Sequence, residues 1–277
     1  MAEATNADKT ESTAKTTGAA VSKPIAENEH VQELYNILKD NNSPALGDFL
    51  SIVKQIGAME ANLQSTVTEL TAMRTQLTEM EASNHPFRNA LQKAVIATQA
   101  QVLEIRDKLT ELKEQFIEGC KNAVQSFKEK GISALGNVAR FFNIKPALEN
   151  LRNNCEKSIQ ADNKAIANIE TVSKEYHEAG KHIKNFALAI FGKEPTAEAK
   201  PMGSVAKTLI APYRADRKCA AAIKGCAEKA IGTLTRLEER AEKPSIQADL
   251  KKFGEKVAQA QKETPAPEKP APTNAER

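Results

Sequence analysis

A run of heptads directly after Pro44 constrains the fold of this chain more than any other feature. One apolar row holds Phe49, Ile56, Leu63, Leu70 and Leu77, and a second row holds Ile52, Met59, Thr66, Met73 and Met80. Two such rows lie side by side on an α-helix and form the seam of a coiled coil. The pattern therefore predicts a long helix that buries this seam against a partner helix.

The same pattern returns after a short break at residues 83–86. One row holds Leu91, Thr98, Ile105 and Leu112, and the other holds Val95, Val102, Leu109 and Phe116. A short break favours antiparallel neighbours, because the chain has no length in which to travel further. We expect a coiled-coil hairpin whose core includes Phe49, Ile56, Leu63, Leu70, Leu77, Val95, Val102, Leu109 and Phe116.

The second stripe continues through Val124 and Phe142 toward Pro146, so the helix itself could extend that far. Gly131 makes a break or kink an alternative, since glycine costs about 1 kcal/mol relative to alanine inside a helix. Residues 131–152 also resemble a helix-turn-helix, but Glu149 and Arg152 stand where the recognition helix should be apolar. A continuing bundle stripe explains the segment better.

Further helices are predicted on both sides of this region. A third long helix follows Pro146 and ends near Ile190, and a fourth covers about 203–242. The small residues at 219–227 of the fourth helix predict a tight crossing, because small side chains let helix axes approach closely. Shorter amphipathic helices are expected around 31–38 and 246–257.

The composition agrees with an all-α fold, since 27% of the residues are charged, only 4% are aromatic and Trp is absent. We predict an elongated bundle of long antiparallel coiled-coil helices with disordered termini. Its expected divisions are a disordered tail at 1–24, an N-terminal helix and hairpin at 25–145, a long helix and an Ala-rich basic helical region at 146–262, and a disordered Pro-rich tail at 263–277.

No enzyme motif is found in the sequence. It has no glycine loop for phosphate, no nucleophile elbow and no paired Glu-x-x-His motifs. Glu178 and His182 lie four residues apart, but one such pair is typical of a solvated helix face. We predict a protein that is not an enzyme and uses no cofactor.

The cysteines, too, lie among periodic apolar positions. They are Cys120, Cys155, Cys219 and Cys226. Cys219 and Cys226 are a heptad apart without a nearby histidine, whereas zinc ligands pair at two to four residues. We predict four reduced, buried cysteines that act as small hydrophobes and hold no metal.

The sequence also bears on the compartment. No stretch approaches the roughly 18 consecutive apolar residues of a spanning helix. The N-terminus lacks the charged-then-apolar pattern of a secretory signal. These features predict a cytoplasmic protein.

Charge is divided unevenly along the chain, although the formal total is only +3. In residues 27–81 nine acidic residues oppose three basic ones, whereas in residues 174–229 eleven basic residues oppose six acidic ones. The basic half is a candidate surface for an acidic partner or nucleic acid, although lysines that merely keep a helix soluble explain it as well. The candidate surface consists of Lys207, Arg214, Arg217, Lys218 and Lys224.

Several segments resemble a family of uncharacterised proteins over roughly residues 25–240. They are Glu27–Glu29, Asp40–Pro44, Asp48–Leu50, Glu118–Asn122, Phe127–Ala134 and Lys174–Gly180. The resemblance implies a helical protein encoded in integrative and conjugative elements of gut Firmicutes. It supplies no activity and no catalytic residues.

Two functions from different classes remain. The first is a non-catalytic scaffold or adaptor that binds a protein partner, and self-association is compatible with it. The alternative is a nucleic-acid-binding accessory protein that acts through the basic half, whose affinity would fall steeply with salt. A lipid-binding bundle is a distant third, based only on the amphipathic stretch at 127–142.

Overall fold

The computed structural model describes residues 23–79, 85–190, 203–242 and 254. These residues form α1 (Glu29–Asp40), α2 (Leu46–Glu79), α3 (His85–Lys130), α4 (Lys145–Ile190) and α5 (Ser204–Glu242), with short 3-10 helices at Ile25–Glu27 and Gly131–Phe141. The described ranges hold helices and no strand, which confirms the all-α prediction.

Helix α5 lies at the centre of the bundle and packs against α4, α2 and α3. It runs antiparallel to α2. Arg240 near the end of α5 donates a hydrogen bond of 2.6 Å to Asp48 near the start of α2, while Cys219, earlier in α5, contacts the carbonyl of Asn62 further along α2. It also runs opposite to α4, where Lys145 bonds Glu238 at 3.2 Å. Of the small residues at 219–227, Cys219, Ala220 and Ala227 are buried at this centre.

Most seam residues of α2 and α3 are buried, as the heptads predict, although Met73 is half-buried and Met80 lies outside the described residues. All nine core positions, Phe49, Ile56, Leu63, Leu70, Leu77, Val95, Val102, Leu109 and Phe116, are at most 8% exposed. Phe49 stacks on Phe116 with ring centroids 5.9 Å apart, and Leu77 packs with Val95. The two helices therefore run in opposite directions, while the coiled-coil geometry of the pair stays a prediction.

The partner of the α2 seam differs from the expected one. Helix α2 packs more extensively against α5 than against α3. Ala220, Ala227 and Ala230 of α5 are completely buried, and their small side chains let α5 approach closely. The heptads thus build a core shared among several helices rather than a hairpin of two.

Helix α3 ends at Lys130, so the prediction that it could run on to Pro146 is wrong and the alternative of a break at Gly131 is confirmed. Gly131 has φ of +63°, a conformation that side chains with a Cβ rarely adopt. The chain then forms the 3-10 helix, after which Phe142 stacks on Phe116 with ring centroids 5.1 Å apart. Leu148 at the start of α4 is buried, as a bundle stripe requires.

The predicted short helix at 31–38 corresponds to α1, which Asn28 caps by accepting hydrogen bonds from the amides of His30 and Val31. Pro212 lies inside α5 and does not end it. Apart from Lys23 and Pro24, the predicted tails lie outside the described residues, as do nearly all of the helix expected at 246–257 and the side chains of 176–190. No helix in the described ranges is long and apolar enough to cross a bilayer.

Candidate functional site

The five basic residues predicted to form a binding surface all lie on α5, and three of them contact α4. Arg214 is 3.8 Å from Glu170, and Lys224 forms an ion pair with Glu156. Arg217 donates a hydrogen bond of 3.0 Å to the side-chain oxygen of Asn163. The candidate surface is therefore partly a contact inside the bundle.

Only Lys207 and Lys218 of this set are both exposed and without an ion pair or side-chain hydrogen bond to α4 in the part of the chain that the structure describes. The hydrogen bond and charge of Lys224 lower the pKa of Glu156, and the reciprocal hydrogen bond raises the pKa of Lys224. The structure thus brings the five cations onto one helix but neutralises part of their charge with α4.

A second surface is an open apolar groove between the end of α2 and the start of α3. Its apolar lining consists of Leu77, Val95, Ile96, Ala100 and Leu103, around a volume of about 300 Å³. The side chain of Ile96 is 55% exposed. Grooves of this form between two helices accept the apolar side of an amphipathic helix.

Two arginines give this α2–α3 groove its charge. Arg74 of α2 and Arg88 of α3 both line it and are half-buried. Neither has an ion-pair partner within residues 23–79, 85–190 and 203–242. The long aliphatic stems of arginine pack on apolar surface while the guanidinium stays in water. The α2–α3 groove therefore combines an apolar floor with two cations that favour an acidic partner.

The heptad interpretation overlooked this groove. Ile96 and Leu103 are seven residues apart and lie beside the seam that Val95 and Val102 form. A second apolar pair next to a complete seam is the signal that could have identified the surface, because the seam alone satisfies the packing of two helices.

The cysteines are free thiols, but only three of them are buried. Burial raises the pKa of Cys155 to about 12 and that of Cys219 to about 11, and it raises the pKa of Cys120 as well. Such thiols stay protonated and unreactive at neutral pH. Cys226 is half-buried and packs against the core from its side, so the expectation of four buried cysteines was wrong at this position.

Comparison with known proteins gives a family but no activity. The model of a family of unknown function (DUF6674) matches residues 27–272. No curated protein and no solved structure matches the chain.

Proposed function

We propose that this chain, which belongs to the DUF6674 family of unknown function, is a non-catalytic adaptor that binds an amphipathic helix of a protein partner in the α2–α3 groove. The observation that carries the proposal is the exposed apolar floor at Ile96 between two arginines, Arg74 and Arg88. The partner helix would bear acidic residues beside its apolar stripe.

The groove favours a helix over other ligands. Ile96, Ala100 and Leu103 lie at helical spacing along α3, so a second helix can place its own side chains between them. Covering Ile96 removes apolar surface from water, which is the main favourable contribution to such binding. The arginines then fix orientation and exclude basic partners.

The nucleic-acid-binding alternative has less support from the contacts. Phosphate binding requires cations that are free to exchange their counterions for the backbone. Arg214, Arg217 and Lys224 are instead bonded to α4. Of the five candidate cations this leaves Lys207 and Lys218 without such a bond, so the predicted surface offers less free positive charge to phosphates than its composition suggests.

The place of the adaptor among accessory proteins of a mobile genetic element is part of the same proposal. The resemblance of segments such as Phe127–Ala134 and Lys174–Gly180 to proteins of integrative and conjugative elements in gut Firmicutes supports it. A cytoplasmic setting is likewise proposed.

The test uses a fluorescent helical peptide with leucines at i, i+3, i+4 and i+7 and glutamates beside them, with anisotropy as the measurement. We expect the purified chain to bind it, and a peptide with lysines in place of the glutamates to bind at least about tenfold more weakly. Ile96→Asp should abolish binding, while Ile132→Asp should not. Ile132 is the matched control, because it is 69% exposed and lies outside the groove.

Three results would contradict the adaptor proposal. One is equal loss of binding in both isoleucine variants. Another is tight binding of duplex DNA at physiological salt that disappears when Arg214, Arg217 and Lys218 are reversed to Glu. The third is peptide binding only by a chain that ends at Glu242, since the C-terminal segment 243–277 would then occupy the groove itself.

A further inference from the structure

Two aspartates lie inside the bundle where α4 meets α5. Asp162 of α4 and Asp216 of α5 are both 0% exposed. Ser158 donates its hydroxyl to Asp216 Oδ2 at 2.6 Å. The side-chain amide of Gln101 on α3 lies next to both carboxyls. When its nitrogen Nε2 faces them, the amide donates hydrogen bonds of 3.1 Å to Asp216 Oδ2 and 3.2 Å to Asp162 Oδ1. Three helices thus meet at this acid pair.

No lysine or arginine neutralises the acid pair in the part of the chain that the structure describes. Arg217 acts on Asp162 only through its field, because its own hydrogen bond goes to Asn163. The other titratable groups whose charge couples to the pair are the thiols of Cys155 and Cys219 and the phenol of Tyr213, which are neutral near pH 7. Two buried carboxylates without a directly bonded cation repel each other strongly.

A proton resolves this repulsion. Asp162 Oδ2 and Asp216 Oδ1 are buried and have no other hydrogen-bond partner among the described residues. Burial, and next the charge of Asp216, raise the pKa of Asp162 to about 8. Burial also raises the pKa of Asp216, against the opposing hydrogen bond from Ser158. The two carboxyls lie within side-chain hydrogen-bond reach of each other, so one proton held between them supplies a donor that the pair otherwise lacks.

A bound cation fits the cluster less well. Two carboxylates, one amide and one hydroxyl supply fewer oxygens than the six to eight that Ca²⁺ takes, and Mg²⁺ usually keeps several waters. No group of three or more His, Cys, Asp or Glu side chains that could hold a metal occurs within the described ranges. The zero exposure of both aspartates leaves no entry for the missing waters.

We propose that one proton shared by Asp162 and Asp216 holds α4 against α5, and that the bundle becomes less stable when rising pH removes this proton. Carboxyls whose pKa is raised by folding stabilise the fold fully below their unfolded value, near 4, and lose this contribution as pH rises through their folded value. The stability that the shared proton contributes should therefore fall between about pH 4 and pH 8 and be largely absent above that range. This inference does not depend on the adaptor proposal.

The shared proton can be tested by urea unfolding of the full chain, monitored by circular dichroism at pH 5, 6, 7, 8 and 9. We expect the wild-type midpoint to fall from pH 5 to about pH 8 and to level off above that. Asp162→Asn should flatten the profile and unfold at a higher urea concentration than wild type at pH 8, because its amide donates to Asp216 without a proton. Asp107→Asn is the matched control, since the Asp107 side chain is 71% exposed on α3, and it should keep the wild-type slope.

Infrared spectroscopy of the native chain provides a measurement that needs no stable variant. We expect the band of a protonated carboxyl at pH 7, and its loss above pH 9. If Asp162→Asn fails to fold, Asp216→Asn serves as the second variant with the same expected profile. Absence of the carboxyl band at pH 7, an equal slope in wild type and both Asn variants, or a midpoint raised by Mg²⁺ or Ca²⁺ and lowered by EDTA would overturn the shared proton.

Discussion

At Gly119 the end of the 3-10 helix that follows α3 packs directly against α3. We expect Gly119→Ala to destabilise the protein. A Cβ built at this position lies 2.6 Å from the carbonyl oxygen of Phe141 and 3.0 Å from Cδ1 of Phe142. Real Cβ atoms do not approach a carbonyl oxygen so closely. The oxygen belongs to backbone, and Phe142 is held in a stack with Phe49 and Phe116, so neither can move freely.

Two effects of opposite sign decide the magnitude of the Gly119→Ala change. Alanine favours a helix over glycine by about 1 kcal/mol. Overpacking a well-packed core costs about 1–3 kcal/mol, and more where backbone must shift. Because the clash is with backbone, we expect a net loss of about 1–2 kcal/mol. Gly232→Ala on α5 is the control, since nothing lies within 4 Å of its Cβ and only the helical gain applies.

Urea unfolding at one fixed pH measures both glycine variants against wild type. The midpoint should fall for Gly119→Ala and rise by an amount equivalent to at most about 1 kcal/mol for Gly232→Ala. A Gly119→Ala protein as stable as Gly232→Ala would refute the placement of the 3-10 helix on α3. An equal fall in both variants would instead show that alanine is unfavourable for another reason.

Two further predictions concern the core. Leu70→Asp should lower the free energy of unfolding by about 3 kcal/mol or more, because Leu70 is 1% exposed and the new carboxylate would be buried without a partner. The control is Leu50→Asp, at a 44% exposed position of α2, which should melt near the wild-type temperature in circular dichroism. Replacing Cys219 and Cys226 together by Ala should preserve the fold at a cost of about 1 kcal/mol in urea unfolding, and stoichiometric zinc released from denatured wild type would contradict this.

The long helices could be predicted from the sequence because their signals are local. The third and fourth predicted helices, after Pro146 and from about Gly203, begin at Lys145 and Ser204 in the structure. Each bears an apolar stripe of several turns, and such a stripe specifies both a helix and its buried side. Gly131 is also a local signal, so the sequence could already indicate a break at this position as an alternative.

The choice of partner helix could not be predicted. A heptad seam shows that Leu63 or Leu70 must be buried, but any helix with a suitable stripe can cover it. The short break at 83–86 favoured α3, whereas the small side chains of α5 decided the closer packing with α2. Likewise, the basic residues of α5 were recognised as a set, but their bonds to Glu156 and Glu170 depend on how α4 lies against α5.

The acid pair was overlooked although each aspartate interrupts an apolar row. Asp162 stands between Cys155 and Ile169 in one heptad row, and Asp216 stands between Leu209 and Ile223 in another. Taken one at a time, each is a local conflict, because an unpaired buried carboxyl costs several kcal/mol.

The acid pair resolves both conflicts only if α4 and α5 lie in one register. A slip of one heptad in either direction would place each aspartate against an apolar residue and leave its carboxyl unsatisfied. Buried polar pairs of this kind fix register in helical assemblies at some cost in stability. We infer that the acid pair selects the alignment of α4 on α5, and that alignment in turn sets which basic residues of α5 reach the acids of α4.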